Sequence, residues 1–298
     1  MGPAGRGERA GQGSAGGYLT RRLAAAVPAG LANLFLYLWI LFTLFTLLWV
    51  VLASFKTNQQ LFESVWSLPR GLNLQSYVKA WKISKMGSYF LNSVLLISIS
   101  TAGIVFVAAP AAYVLARVAF RGRQLVTNLF VSGMSIPQVL LLVPLFMLLR
   151  RLLLLDKLLG VGLVYVVVNL PFTIFMLMSF FVTLPAELEE AAAIDGASAF
   201  RTFRSVMLPL AGPGISTAFI INFIWNWKEY FWPLVLISSD AKKTVSLGLY
   251  GLQGSMQYSA DWVGLFAGCV IVMLPTLALY LFMSRRIMSG MTLGALKG

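Results

Sequence analysis

The 298-residue chain has no histidine, which removes both the usual general base and the commonest metal ligand. Its single cysteine, Cys269, excludes an internal disulfide and a cysteine-built metal cage. Lying within an apolar run, Cys269 reads as a packing residue. Charge is also scarce: 11% of residues are charged, against about 25% in a soluble domain. Ten acids face 23 bases, a net charge of +13. The bases are scattered among the connections between apolar runs, which suits lipid headgroups and argues against nucleic acid. No Walker A sequence is present, so the chain cannot hydrolyse ATP by itself. A literal G-x-G-x-x-G at residues 11–16 follows no strand and is dismissed as chance.

What the chain has is hydrophobicity: 59% of its residues are hydrophobic and its mean hydropathy is +0.83. Several runs reach the roughly 20 residues needed to cross a bilayer. The pattern predicts an all-α polytopic membrane protein with six transmembrane helices, at about 31–53, 89–116, 125–149, 159–183, 210–237 and 262–284. Residues 1–30 are expected to be a disordered tail, and 31–298 the membrane domain, with its core at 87–284. Residues 54–87 read as a soluble loop with short interfacial helices, and 238–261 as a second exposed loop. Prolines 110, 137, 144 and 171 fall within spans, where neighbouring helices can re-satisfy the freed carbonyls. Ala260, Gly264 and Gly268 recur every four residues, a face for close helix packing.

The feature that interrupts this pattern is 185–209, PAELEEAAAIDGASAFRTFRSVMLP. It holds Glu187, Glu189, Glu190 and Asp195, four of the ten acids. Pro185 suits a first helical position. The three glutamates then fall near the positive end of a helix dipole. Gly196 can end that helix with φ > 0, and Ser198 can cap a second. In the second helix Phe200, Phe203, Val206 and Met207 form one apolar stripe, with Arg201 and Arg204 off it. Two readings stand: a helix presented to a groove on a partner, or a helix lying flat in the lipid interface.

The spacing Glu190-Ala191-Ala192, three residues, Gly196, nine residues, Val206-Met207-Leu208-Pro209 resembles the EAA motif of ABC importer permeases. That motif reads E-A-A, three residues, G, nine residues, I-x-L-P; Val206 in place of Ile is the one departure. The resemblance implies a type I ABC importer transmembrane domain and a cytoplasmic loop whose coupling helices fit a cleft on an ATPase subunit. On it, Glu190, Ala191, Ala192, Asp195, Gly196, Phe200, Phe203, Leu208 and Pro209 are the ATPase-docking residues, Glu190 pairing with a base of the ATPase.

Leu91-Asn92-Ser93, Ala112-Tyr113 with Arg117, Phe120-Arg121-Gly122-Arg123, Ile136-Pro137, Pro144-Leu145 and Pro171-Phe172 resemble the carbohydrate-uptake branch of these permeases. The tail 290–298, GMTLGALKG, is similar to the ending of the maltose-type second permease, which sits close to the ATPase pair. The family implies a sister permease in a heterodimer, two cytoplasmic ATPase subunits and an extracytoplasmic solute-binding protein. It implies that ATP and Mg are bound by the ATPase, with no cofactor on this subunit. The setting it implies is a bacterial or archaeal plasma membrane, with both termini cytoplasmic. With that orientation 11 of the 14 arginines lie on the cytoplasmic side, although Lys and Arg together divide nearly evenly.

A second candidate region is Asn226, Trp227, Lys228, Glu229 and Tyr230, set in an aromatic stretch of the fifth span. An ionisable residue at such depth usually faces a bundle interior or water. Sugars offer C–H faces to rings and hydroxyls to amides and carboxylates, so this segment is a candidate lining of a translocation path. The other reading is an aromatic belt, or a Lys228–Glu229 pair contacting a sister subunit. The family has W-N-E/D-F here, and Lys228 departs from it. The functional expectation is a sugar or oligosaccharide permease subunit, itself no enzyme. The alternatives are an importer of a polyol or glycerol phosphate, or an ATP-independent carrier.

Overall fold

The computed structural model describes residues 14–295, and among them the regular structure is helical throughout. The tail expected over 1–13, the G-x-G-x-x-G that begins there and the last residues of the 290–298 tail lie outside the described residues. The first helix, α1 (Ser14–Ser54), starts well before the expected span, so residues 14–30 continue it rather than forming a disordered tail. Its side chains from Leu31 to Leu48 are exposed around the whole helix, as befits a segment solvated by lipid. Its threonines satisfy themselves within the helix: Thr43 Oγ1 donates to the Trp39 carbonyl and Thr46 Oγ1 to that of Phe42, both at 2.9 Å.

The connection after α1 carries α2 (Asn58–Glu63), closed by a capping box at Thr57 and Gln60, then α3 (Gln75–Val78) and a π-helical turn at Lys79–Ile83. The short interfacial helices expected over 54–87 are therefore present. The bundle proper pairs α4 (Met86–Arg117) with α7 (Leu158–Thr183) along most of their length. Between them run α5 (Arg123–Met134) and α6 (Leu142–Arg151). The polar insert follows α7 as α8 (Glu187–Ile194), α9 (Ala199–Thr202), a π-helical turn at Phe203–Met207 and α10 (Leu208–Leu210). The chain then returns through α11 (Gly212–Lys228), α12 (Phe231–Leu236), α13 (Val245–Ser259) and α14 (Trp262–Ala295).

Four helices are long and apolar enough to cross a membrane, and six spans result if each of two bent pairs counts as one. The expected third span is not a single helix: it bends by 100° between α5 and the turn leading into α6. Pro137 explains the break. It lacks an N–H, and it pushes Ile136 out of the α region. Pro144 falls in the first turn of α6, where the missing donor costs nothing. The second bent pair joins Ala199–Leu210 to α11 with a bend of 72°, at the start of the expected fifth span, and that span also breaks near its far end. In a continuous helix the Pro233 ring would clash with the carbonyl four residues back, on Glu229. The chain leaves α11 there in an extended conformation and restarts as α12.

The expected exposed loop at 238–261 also differs, since α13 is a helix with Val245 and Leu247 buried against the bundle. Gly248 permits this, because a Cβ there would lie 2.3 Å from the Tyr89 ring on α4. Gly264 and Gly268 lie on α14, but Ala260 precedes that helix at φ 48, so the three residues do not share one helical face.

A small apolar cluster, Ala53, Leu61 and Val263, joins α1 and α2 to α14, and two large ones fill the bundle. One, nearer the insert, gathers the small residues Ala108, Ala109 and Ala112 of α4 with Ile174, Leu177, Phe181 and Met207. The other, at the far end, is built on Leu96, Ile97, Val161, Tyr165, Trp227, Trp232 and Leu236. Small residues on α4 let the backbones approach closely, which is how helices associate without a hydrophobic driving force in lipid.

At the far end acids act as staples. Asp156 accepts from the Ser238 and Ser239 amides at 3.0 and 2.8 Å, from the Ser239 hydroxyl, and from Lys242 at 2.9 Å. Asp240 takes Lys85 at 2.7 Å, the Tyr89 hydroxyl at 2.8 Å and Lys243 at 2.9 Å. Both carboxyls are held well below the usual range, Asp156 chiefly by the Ser239 hydroxyl and Lys242, Asp240 chiefly by its two lysines.

Candidate functional site

The insert folds as helix, turn and helix. Pro185 lies outside α8 rather than at its first position; Ala186 caps that helix, and Glu187, Glu189 and Glu190 occupy its first turn. Gly196 turns the chain at φ 73, in the region where an L side chain is strained. Ser198 then caps α9, its hydroxyl accepting from the Arg201 amide at 3.4 Å.

The two adjacent glutamates point to different partners. Glu189 is turned inward: its Oε2 lies 2.9 Å from Arg117 Nε, and its Oε1 accepts from the Tyr113 hydroxyl at 2.8 Å. Arg117 Nη2 also donates to the Leu184 and Pro185 carbonyls, at 2.8 and 3.1 Å. One guanidinium at the end of α4 thus ties down the end of α7 and the start of α8 together. Arg123 caps α4 itself, donating to the Leu115 and Ala116 carbonyls at 2.7 and 3.0 Å.

Glu190, by contrast, is exposed, as are Ala191, Asp195 and Gly196. Ala192 is buried beneath them. The expected apolar stripe of the second helix is divided. Met207 is fully buried, and Phe203 is half-buried with its ring 5.0 Å from that of Tyr113, so both anchor the insert to its own bundle. Phe200 is 68% exposed. The cause is the π-helical turn, which rotates 203–207 relative to α9. Leu208 is half-buried and Pro209 exposed.

One outward residue escaped sequence reasoning. Ile194 is 86% exposed at the end of α8, a large apolar side chain beside Glu190. Its signal was present as a lone isoleucine among polar and alanine positions. Glu190, Ile194 and Phe200 are thus exposed side chains of the insert, one acid and two large apolar groups. Phe200 also borders an apolar groove of 840 Å³ between α4 and α11, lined with it by Phe106, Pro110, Phe203 and Phe219 among others.

At the far end the 226–230 segment comes apart into different roles. Trp227 is a packing residue, buried, stacked on Phe223 at 5.7 Å and donating its indole N–H to the Val272 carbonyl at 2.9 Å. Glu229 Oε1 accepts from the Phe231 and Trp232 amides, at 2.6 and 3.3 Å, and so caps α12. Lys228 is the exposed last residue of α11 rather than a charge deep in a continuous span, and it forms no ion pair among the described residues. Tyr230 is exposed and stacked on Tyr250 at 5.2 Å. Asn226 is buried, its Oδ1 accepting from Asn169 Nδ2 at 3.1 Å. One turn along, Asn222 Nδ2 donates to Thr173 Oγ1 at 2.9 Å, so α7 and α11 share a buried polar seam. A cavity of 330 Å³ opens beside this seam, lined in part by Asn226, Lys228 and Glu229. No cluster of three or more potential metal ligands exists among the described residues.

A helical bundle of apolar spans that carries a clamped polar insert has the architecture of a multi-pass membrane subunit. Residues 108–292 match the family described as binding-protein-dependent transport system inner membrane component, and the chain belongs to that family. It is 36% identical to the diacetylchitobiose uptake system permease protein NgcG of Streptomyces coelicolor, covering 90% of this chain and 89% of that one. Against the trehalose transport system permease protein SugB of Mycobacterium tuberculosis it is 32% identical, covering 86% and 93%. The sulfoquinovosyl glycerol transport system permease protein SmoH of Agrobacterium fabrum is 34% identical, covering 86% and 89%. A crystal structure of a bacterial ABC transporter involved in import of the acidic polysaccharide alginate contains a chain of the same fold, at TM-score 0.73 and 22% identity over 89% of this chain and 97% of that one.

Proposed function

We propose that this chain is one of two different transmembrane subunits of an ATP-driven importer for a sugar or oligosaccharide. Separate ATPase subunits dock on Glu190, Ile194 and Phe200. The observation that carries the docking assignment is the division of the two glutamates. Glu189 is consumed by Arg117 and Tyr113, while the neighbouring Glu190 is left exposed, as are the large apolar side chains Ile194 and Phe200 of the same insert. A short helical insert that exposes an acid together with large apolar side chains is suited to a partner's groove that carries a base. The sugar assignment is supported by the relatives named above, three of which carry saccharides or a sugar glycoside in their names.

In this reading the insert and both termini are cytoplasmic, and the far end with its aspartate staples faces outward, where a solute-binding protein delivers its cargo. ATP and Mg belong to the partner ATPases. The push of each ATP cycle enters at the insert and passes through Arg117 into α4 and, through the 184–185 carbonyls, into α7. The bundle alternates between two states whose balance the nucleotide shifts.

The test is a pull-down of the tagged chain from its native membrane in mild detergent, with identification of what accompanies it. A second permease and a Walker A ATPase are the expected companions. A homo-oligomer without an ATPase would overturn the proposal.

A further inference from the structure

The far-end cavity carries a feature that the docking of an ATPase does not explain. Six buried side-chain polar atoms make no hydrogen bond among the described residues; one of them, Arg117 Nε, instead stands against the Glu189 carboxylate, and three belong to residues lining this one cavity: Tyr165 Oη, Asn226 Nδ2 and Trp232 Nε1. All three side chains are at least 97% buried, with exposures of 2%, 3% and 1%. They come from three different helices, α7, α11 and α12.

Asn222 Oδ1, one turn away and off the cavity lining, also lacks a partner, whereas Asn169 Nδ2 has two acceptors. Asn169 Nδ2 donates to the Tyr165 carbonyl at 2.8 Å and to Asn226 Oδ1 at 3.1 Å. This also settles the Asn226 amide. The atom of Asn169 facing a carbonyl must be the nitrogen, so the atom of Asn226 facing Asn169 must be the oxygen, and the Asn226 nitrogen is left over. The neighbouring Trp227 is as deeply buried as Trp232, yet its N–H has a carbonyl partner. A buried donor without a partner is costly, and a phenylalanine at 165 or 232 would remove that cost. Lys228 adds a fourth donor at the rim. Trp225, also on the lining, offers a ring that packs on Phe172 at 4.8 Å.

We infer that this cavity is a solute subsite in this subunit, in which Tyr165, Asn226 and Trp232 donate to the oxygens of a single sugar ring. A saccharide ring is dense in acceptor oxygens and presents apolar C–H faces to an aromatic wall. The volume, 330 Å³, lies at the small end of ligand pockets and suits one ring rather than a chain. Tyr165 lies seven residues into α7, about 10 Å from its outer end and about 27 Å from the insert end. The subsite is thus on the side from which a binding protein would release its cargo. The inference rests on the sugar-import reading above.

The test uses the whole assembled transporter in proteoliposomes with its binding protein. The probes are radiolabelled trehalose, N,N′-diacetylchitobiose and a uronic-acid disaccharide, compared for wild type, Tyr165→Phe and Trp232→Phe. For whichever probe the wild type imports, each variant should import about two- to tenfold more slowly, the worth of one hydrogen bond. In Tyr165→Phe assembly should be intact and the melting midpoint equal or higher, because the deleted hydroxyl has no protein partner. Trp232→Phe also removes ring atoms from a packed cluster, so its midpoint should fall while assembly is kept. Wild-type rates in both variants would overturn the subsite while leaving the sugar reading intact. Loss of assembly in both would overturn it too, by showing that these donors meet another subunit. A wild type that imports none of the probes, ATP notwithstanding, would remove the sugar reading and the subsite together.

Discussion

Replacing Arg117 with alanine should detach the insert without unfolding the bundle. Arg117 makes two hydrogen bonds to the Leu184 and Pro185 carbonyls and lies 2.9 Å from the Glu189 carboxylate. The two paired side chains are 13% and 24% exposed, so the pair is largely withdrawn from water. Breaking a buried ion pair costs about 3–5 kcal/mol. The lower end applies here, because Glu189 keeps the Tyr113 hydroxyl and some solvent, which gives about 3 kcal/mol. That energy raises the open population of the insert by roughly a hundredfold.

The assay is hydrogen exchange on the detergent-solubilised transporter, read at the amides of α8. Protection there should fall by about two orders of magnitude in Arg117→Ala and stay at wild-type level in Glu190→Gln. Uptake per ATP hydrolysed should fall in both variants, through loose anchoring in the first and lost docking in the second. Unchanged exchange over α8 in Arg117→Ala would refute the clamp, whatever happened to transport.

Three further outcomes follow from the same structure. Gly196→Asp should lower uptake per ATP hydrolysed, because φ 73 costs an L residue about 1–2 kcal/mol and the added carboxylate sits on the docking face; normal uptake by this variant would contradict the assignment. Met207→Ala, at a fully buried position beneath the insert, should destabilise the protein by about 2–5 kcal/mol, read as a lower melting midpoint in detergent. The Asp156 staple is fully charged above pH of about 4, and its contribution to stability is lost as pH falls below that toward its depressed native value. Asp156→Asn should therefore melt earlier at pH 7 and show a flatter decline in melting midpoint on acidification than wild type.

Much of this organisation was legible in the residues. Long apolar runs marked where the spans lie, since lipid requires them whatever the tertiary arrangement. The helix–turn–helix of the insert was legible because Gly196 and Ser198 are local devices whose effects do not depend on distant contacts. The breaks at 135–137 and 229–230 were not, because hydropathy carries no direction and a proline can kink a span or end it. α13 was missed for a different reason. Its glycines speak against a helix, yet Gly248 is there for the close approach of Tyr89, a contact that only the packed bundle reveals.

The two glutamates show the same limit more sharply. Glu189 and Glu190 are equivalent as letters, and only the position of Arg117 separates an internal tie from an outward group. The donors of Tyr165 and Trp232 were equally silent, since their lack of partners is a property of three helices brought together.

The helix α4 touches both ends of the molecule by polar contacts. Its last turns hold the insert through Tyr113 and Arg117. At its beginning Tyr89 holds Asp240, Asn92 Nδ2 donates to the Ala241 and Lys243 carbonyls at 2.9 and 3.0 Å, and Ser93 Oγ accepts from the Val245 amide at 2.8 Å. At 32 residues it is about 48 Å long. Such a strut transmits in both directions. If a nucleotide bound beneath the insert changes the affinity for cargo at the far end, then cargo arriving at the far end must change nucleotide affinity by the same factor. A transporter wired through one helix in this way would hold nucleotide with one affinity when the far end is empty and with another when cargo has arrived.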